Sequence, residues 1–283
     1  MHGLHRLRER GIVLLDGALG SELEARGLDL PHPLWSARAL VERADLVWEI
    51  HRDYVEAGVD VLTACTFRTS RYSLAKSGLD ARSGELTLAA VRLARSASSG
   101  VDRPVLVAGS IAPLEDCYQP ELAPADATLV REHTHQAAQL ARAGVDLLLV
   151  ETQNSAREAL IAATAARGFH LPVWVSLLPR SATELYNGDS LVPLAEQLLE
   201  QPVDALLLNC APPEIVTAAC ATLRARFPDA VLGVYPNTLD RLYDPREFAA
   251  WANSMRELGA DIIGGCCGIG PEHIAVAGER LAS

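Results

Sequence analysis

The sequence predicts an α/β fold, a single TIM-type (β/α)8 barrel, on three observations. Short apolar runs alternate with longer amphipathic stretches, the runs number eight, and the 283-residue length is close to the roughly 250 residues of one such barrel. A hydrophobic content of 49% is enough to fill one core. No Pro-, Gly- or Ser-rich stretch is long enough to be a linker, so residues 1–283 are expected to form one domain.

The expected strands are Ile12–Leu15, Val59–Ala64, Val105–Ala108, Val145–Val150, Val173–Leu177, Val203–Leu208, Val231–Tyr235 and Asp261–Gly264. Short apolar runs joined by helix-length segments mark buried parallel strands with crossover helices. A faint repeat supports the count. Ala57-Gly58-Val59-Asp60, Ala143-Gly144-Val145-Asp146 and Leu258-Gly259-Ala260-Asp261 each end a helix and open a strand, and Pro202-Val203-Asp204 is a weaker copy. The glycine in each suits the left-handed residue that closes a helix. Between the first two strands, Asp45–Ala57 sets Leu46, Val47, Ile50, Tyr54 and Val55 on one helical face, which should pack on the barrel. An open doubly wound sheet would require a dinucleotide fingerprint after the first strand, and Gly17-Ala18-Leu19-Gly20-Ser21 lacks that spacing.

A formal net charge of -11 disfavours nucleic acid as a partner. No segment approaches the roughly 20 apolar residues of a membrane span, and the apolar run near the N-terminus is too short for a signal peptide. A cytoplasmic protein is therefore expected, in which thiols stay free, bind metal or react. Lys76 is the sole lysine, so Schiff-base chemistry is disfavoured. No G-x-S-x-G elbow is present for serine-based acyl transfer.

Function in such barrels gathers at the carboxyl ends of the strands. There the sequence sets Asp16, Cys65 and Thr66, Ser110, Glu151, Cys210, Asn237, and the adjacent pair Cys266-Cys267. The sixth and eighth strands are separated by one neighbour, so Cys210 and the pair can reach a common point. Three thiolates favour zinc and leave a fourth tetrahedral position for an incoming thiol. Neighbouring residues of a strand face opposite ways, and Gly264, Gly265 and Gly268 allow the turn that lets both cysteines ligate. Asp16 and Glu151, across the barrel mouth from each other, can hold the ammonium of an amino acid. The plainer readings are a helix cap for Asp16, a solvated loop for Glu151, core packing for Cys65, Cys117 and Cys220, and no metal for His133 and His135, which are two apart on a helix.

Leu15-Asp16-Gly17-Ala18-Leu19-Gly20-Ser21-Glu22-Leu23, Pro33-Leu34-Trp35-Ser36, Asn209-Cys210, Tyr235-Pro236-Asn237 and Gly264-Gly265-Cys266-Cys267-Gly268 together resemble the zinc-dependent homocysteine S-methyltransferases, nearly end to end. The resemblance implies Cys210, Cys266 and Cys267 as ligands of Zn2+, and Asp16 and Glu151 at the homocysteine amino group. It also implies Trp35 and Thr66 in the substrate cavity, with Asn237 in support. Arg68 and Thr152 stand where the betaine-using relatives carry aromatic residues, and the length leaves no room for folate- or cobalamin-binding domains. The branch using S-methylmethionine or S-adenosylmethionine is the nearer likeness, so the expected reaction moves a methyl group from a small sulfonium donor to homocysteine, giving methionine. Two alternatives stand beside it: a zinc- and homocysteine-binding acceptor subunit served by a separate methyl-donor protein, and a phosphate-handling barrel lyase or isomerase that uses the glycine-rich turn after the last strand.

Overall fold

The computed structural model describes residues 11–282; residues 1–10 and Ser283, included in the one-domain expectation, lie outside the described residues. Eight strands appear where the apolar runs predicted them: β1 (Val13–Leu14), β2 (Val61–Ala64), β3 (Leu106–Ile111), β4 (Leu147–Gln153), β5 (Val173–Leu177), β6 (Ala205–Asn209), β7 (Leu232–Tyr235) and β8 (Ile262–Ile263). All ladders are parallel and run β1-β8-β7-β6-β5-β4-β3-β2. A parallel bridge between Leu15 and Val61 joins the two ends and closes the ring. Helices fill the crossovers, and among the described residues none is long and apolar enough to cross a membrane.

The apolar residues sort into two cores. One lies between strands and helices and includes Leu46, Val47, Ile50, Tyr54 and Val55 of the helix Ala44–Glu56. The other fills the barrel with Val13, Leu15, Val61, Ala108, Leu147, Leu149, Trp174, Ala205, Leu207, Tyr235 and Ile262. Alternation along each strand extends this inner set toward the carboxyl ends as Thr63, Ser110, Glu151, Ser176 and Asn209. The barrel is thus apolar in its lower layers and polar in its top layer, which sets a hydrogen-bonding floor beneath the mouth.

The sequence repeat has a second purpose besides closing helices. Gly58, Gly144 and Gly259 do have positive φ, of 99°, 85° and 97°. The aspartate that follows each, and Asp204 of the weaker copy, clamps neighbouring strands. The Oδ2 atoms of Asp60, Asp146, Asp204 and Asp261 accept from the amides of Leu14, Val107, Val173 and Leu232 at 2.7 to 3.0 Å. The amides of the same aspartates donate back to the carbonyls of Leu14, Val107, Val173 and Leu232. Each even-numbered strand is therefore tied at its start to the odd-numbered strand before it. Asp60 does this across the β1–β2 seam, where the ladder has only a single bridge. Asp146→Ala leaves the Val107 amide without its acceptor, and should cost about 1 to 3 kcal/mol in urea unfolding. A loss within error of zero would remove the clamp from the account of barrel stability.

Candidate active site

Chain direction brings the polar strand ends together above the top layer, around a cavity of about 320 Å3 whose wall includes Asp16, Glu151, Trp35, Cys210, Cys266 and Cys267. The sulfurs of the three cysteines lie within 4.8 Å of one another. Those of Cys210 and Cys266 are in direct contact, with Cys267 beside them. Three sulfurs around one tetrahedral zinc, each about 2.3 Å from it, would be about 3.8 Å apart, a spacing within reach of side chains gathered inside 4.8 Å, and soft thiolates suit zinc. Burial pushes the Cys267 thiol up, so a cation at this point is what would hold it as a thiolate.

Local backbone devices aim the sulfurs. Cys210 follows β6 in the left-handed region, with φ 55°, a conformation that costs a residue with a side chain about 1 kcal/mol or more. Its carbonyl is fixed by two donors, Asn237 Nδ2 at 2.7 Å and Tyr118 Oη at 3.2 Å. Asn237 thus acts on the site through the Cys210 backbone. After β8 the chain turns through Gly264 and Gly265, where an added Cβ would collide with Leu15 and with Ile269. Gly268 follows with φ 86°. The turn frees Cys266 and Cys267 from strand alternation. Its amides are committed inside the protein: Gly265 to Asp16, Cys266 to Pro236, Ile269 to Cys266 and Gly268 to the Ser21 hydroxyl. The Gly-rich turn therefore presents no free row of N–H groups of the kind that binds a phosphate.

The two carboxylates belong to the cavity. Asp16 does not cap the following helix Leu19–Ala25, whose first residue has no side-chain cap. Its oxygens accept instead from the Thr63 amide at 2.6 Å and the Thr63 hydroxyl at 2.8 Å. Glu151 continues the inward-facing positions Leu147 and Leu149 of β4, and the strand becomes irregular just after it, with a register shift between Val150 and Gln153 and Thr152 at φ 59°. It accepts from the Ser110 hydroxyl and, at 3.4 Å, from Tyr235 Oη. The bulge is held by Asn209, which accepts from the Thr152 amide at 3.2 Å and donates to its hydroxyl at 2.9 Å. Burial raises both carboxyls to about 7, and the proximity of Glu151 adds to the shift of Asp16. Two acids so placed gain from a cation that arrives with a ligand.

Thr66, expected in the cavity wall, stands outside it. The Thr66 amide bonds back to the Ala64 carbonyl, a tight turn that swings the side chain away. Its hydroxyl then donates to the Ser110 carbonyl and accepts from the Ser110 amide, joining the ends of β2 and β3. Trp35 lines the cavity and meets Phe67 edge-on, with ring centroids 5.4 Å apart. Cys65 and Cys117 also reach the wall, each buried, and Cys220 lies in the core. His133 is buried against Glu158 at 3.0 Å, and His135 sits near Gln139 on the same helix, Asp126–Ala143. The sequence sets Ser110 at a strand end, Tyr235 in its motif and Arg68 at a departure from the betaine-using pattern, but assigns none of them a contact; Ser110 and Tyr235 turn out to be the partners of Glu151. Nothing local marks Tyr118, which reaches the Cys210 carbonyl from the loop after β3.

The raised carboxyls carry a consequence for stability. An acid whose folded pKa exceeds its unfolded value near 4 stabilises the fold fully below that value, and the contribution is lost as pH rises through the folded pKa near 7. For Glu151 this amounts to about 2 to 4 kcal/mol. His51, buried and held down to about 4, works in the opposite direction over part of the range. The comparison with Glu151→Gln isolates the effect: relative to wild type, the ligand-free variant should gain stability between pH 5 and pH 8. Parallel curves of stability against pH for the two proteins would show that Glu151 is not held protonated.

A family model described as homocysteine S-methyltransferase matches residues 13–281. The chain is 33% identical to the homocysteine S-methyltransferase of Escherichia coli strain K12, across 97% of this chain and 96% of that one. It is 28% identical to the selenocysteine Se-methyltransferase of Brassica oleracea var. italica, across 96% and 90%. The fold superposes on the crystal structure of the metallated form of the homocysteine methyltransferase MmuM from Escherichia coli, with a TM-score of 0.89 over 98% of this chain and 99% of that one, at 33% identity. A match that runs from the first strand to the last helix, over a barrel whose mouth gathers three cysteines and two buried carboxylates, means that this chain belongs to the homocysteine S-methyltransferase family.

Proposed function

We propose that this protein transfers a methyl group from the sulfonium sulfur of S-methylmethionine or S-adenosylmethionine to the sulfur of homocysteine, which gives up its thiol proton and becomes methionine while the donor leaves as its neutral thioether, methionine or S-adenosylhomocysteine, with zinc held by Cys210, Cys266 and Cys267. The observation that carries the reading is the convergence of three sulfurs, from the ends of β6 and β8, in the same cavity as two buried carboxylates. The metallated form of the similar Escherichia coli protein supports a metal in this family.

Bound zinc supplies a Lewis acid that keeps a coordinating thiol deprotonated near neutral pH. A free thiol with a pKa near 8.5 is only a few per cent ionised there, so full ionisation is worth about 30-fold, or about 2 kcal/mol. Most of the acceleration must then come from alignment, which can supply about 7 to 11 kcal/mol. This is the work of the chain's own residues. Asp16 and Glu151 take the acceptor's ammonium, and their partners Thr63, Ser110 and Tyr235 fix the two carboxylates in place. With the amino end anchored beside the cysteines, the acceptor sulfur has one direction in which to reach. Trp35 and Phe67 provide an aromatic wall that suits a sulfonium and keeps water from the reacting centres. Asn237 and Tyr118 hold the Cys210 backbone in its left-handed conformation.

Cys210→Ala and Cys266→Ala should each lose stoichiometric zinc and methionine formation together. Full turnover by a metal-free double variant would end the reading. Asp16→Asn and Glu151→Gln should retain zinc but raise KM for homocysteine by about 10-fold or more, the worth of one or two charge-assisted hydrogen bonds. Unchanged kinetics with homocysteine would remove both carboxylates from acceptor binding. Methionine assays of the zinc-loaded protein with S-methylmethionine and S-adenosylmethionine in turn identify the donor. Zinc binding without turnover on either would favour an acceptor subunit that depends on a separate donor protein.

A further inference from the structure

Arg68 follows β2, lines the cavity, and is only 6% exposed. Its Nη1 donates to the carbonyls of Pro113 and Glu115, at 3.1 and 2.9 Å, and its guanidinium carbon lies 4.9 Å from the centroid of the Phe67 ring. Among the described residues no acceptor is bonded to Nε or Nη2 and no carboxylate forms an ion pair with it. The acids nearest to it are already engaged. Glu115 is taken by Lys76 and Tyr72, Glu158 by His133 and the Leu114 amide, and Asp116 by the Tyr118 amide and Gln119. A guanidinium stays charged in any protein environment, and a buried charge with no directly bonded counter-ion is costly even where, as here, Asp116, Glu115 and Glu158 act on it at longer range. Two carbonyls on one nitrogen fix the orientation of the planar group and leave its other donors for an anion that enters the cavity.

The position of Arg68 selects which anion. Asp16 and Glu151 hold the cationic end of the acceptor at the ends of β1 and β4, whereas Arg68 belongs to the aromatic wall, stacked on Phe67, which in turn meets Trp35. A π surface beside a fixed guanidinium suits a molecule that carries an onium and a carboxylate together. We infer that Arg68 binds the carboxylate of the methyl donor, which makes this enzyme selective for sulfonium donors that are also carboxylates. The inference rests on the methyl-transfer reading above and adds to it the residue that recognises the donor.

The test compares S-methylmethionine with its near-isosteric carboxamide on the zinc-loaded wild-type protein, with loss of the homocysteine thiol as the readout, because S-methylmethionine itself leaves as a second methionine. The amide should lose about 10- to 100-fold in kcat/KM, the worth of a charge-assisted pair, while KM for homocysteine stays the same. Arg68→Met should bring the acid down to the level of the amide and leave the amide unchanged, and Arg68→Lys should recover part of the preference. Equal kcat/KM for acid and amide on the wild-type protein overturns the inference while leaving methyl transfer intact, and needs no variant to fold. A rise in KM for homocysteine in Arg68→Met, with donor kinetics unaffected, overturns it as well and moves Arg68 to the acceptor. If S-adenosylmethionine alone serves as donor, the same comparison of acid and carboxamide is made on it; no methyl transfer to homocysteine from any of these compounds would bring down the methyl-transfer reading and this inference with it.

Discussion

Three sulfurs from two separate strand ends have to meet at one point, and the rest of the site is arranged around that requirement. β6 and β8 flank β7 in the ring, so their carboxyl ends are two strand spacings apart, about 10 Å. That gap is closed by leaving regular geometry at both ends. Cys210 turns into the left-handed region, and the chain after β8 passes through glycines at points where no side chain fits. Neither deviation stands unsupported. Asn237 and Tyr118 restrain the first from the loops after β7 and β3, while Asp16 and Ser21 accept amide hydrogens of the second from the first strand and helix of the chain. The metal-ligating candidates are thus held in place by residues far from them in sequence.

The same mouth accepts electrostatic costs that a purely structural barrel would avoid. Two carboxyls are buried and raised to about 7, and a guanidinium is buried without a direct ion pair. Desolvation opposes each charge in the empty cavity. In the proposed reaction their signs complement an ammonium on one reactant and a carboxylate on the other, and binding of both would recover these costs. Such pre-organised groups need little rearrangement to align two reactants, which matters more here than the roughly 2 kcal/mol available from ionising a thiol.

Stability is concentrated at the opposite end of the strands. The four aspartates that open β2, β4, β6 and β8 tie each to the preceding strand by paired bonds to one residue's amide and carbonyl. The apolar lower layers of the barrel, with Trp174 fully buried among them, complete that base. A rigid lower half lets the top layer carry Thr63, Ser110, Glu151, Ser176, Asn209 and Tyr235, polar groups that would weaken a core if they were distributed through it.

Period and punctuation in the sequence determined a good deal. Eight apolar runs lie within a few residues of the eight strands, because buried parallel strands need continuous apolar segments whatever surrounds them. The face of the helix Ala44–Glu56 and the glycines that close helices were legible for the same reason: they are requirements of local geometry. The cysteines and the carboxylates could be assigned to strand ends from their place after each run. What followed from tertiary structure alone was direction. β4 runs on to Gln153, and a register shift beyond Val150 breaks the alternation that would have predicted where Thr152 and Gln153 point. A tight turn at Cys65 sends Thr66 to β3 rather than into the cavity. The isolation of Arg68 depends on loops after β2 and β3 whose acids all have other partners. Only the closed ring decides such matters, since a side chain's partners there come from strands tens of residues away, and no local pattern records which of them will be taken.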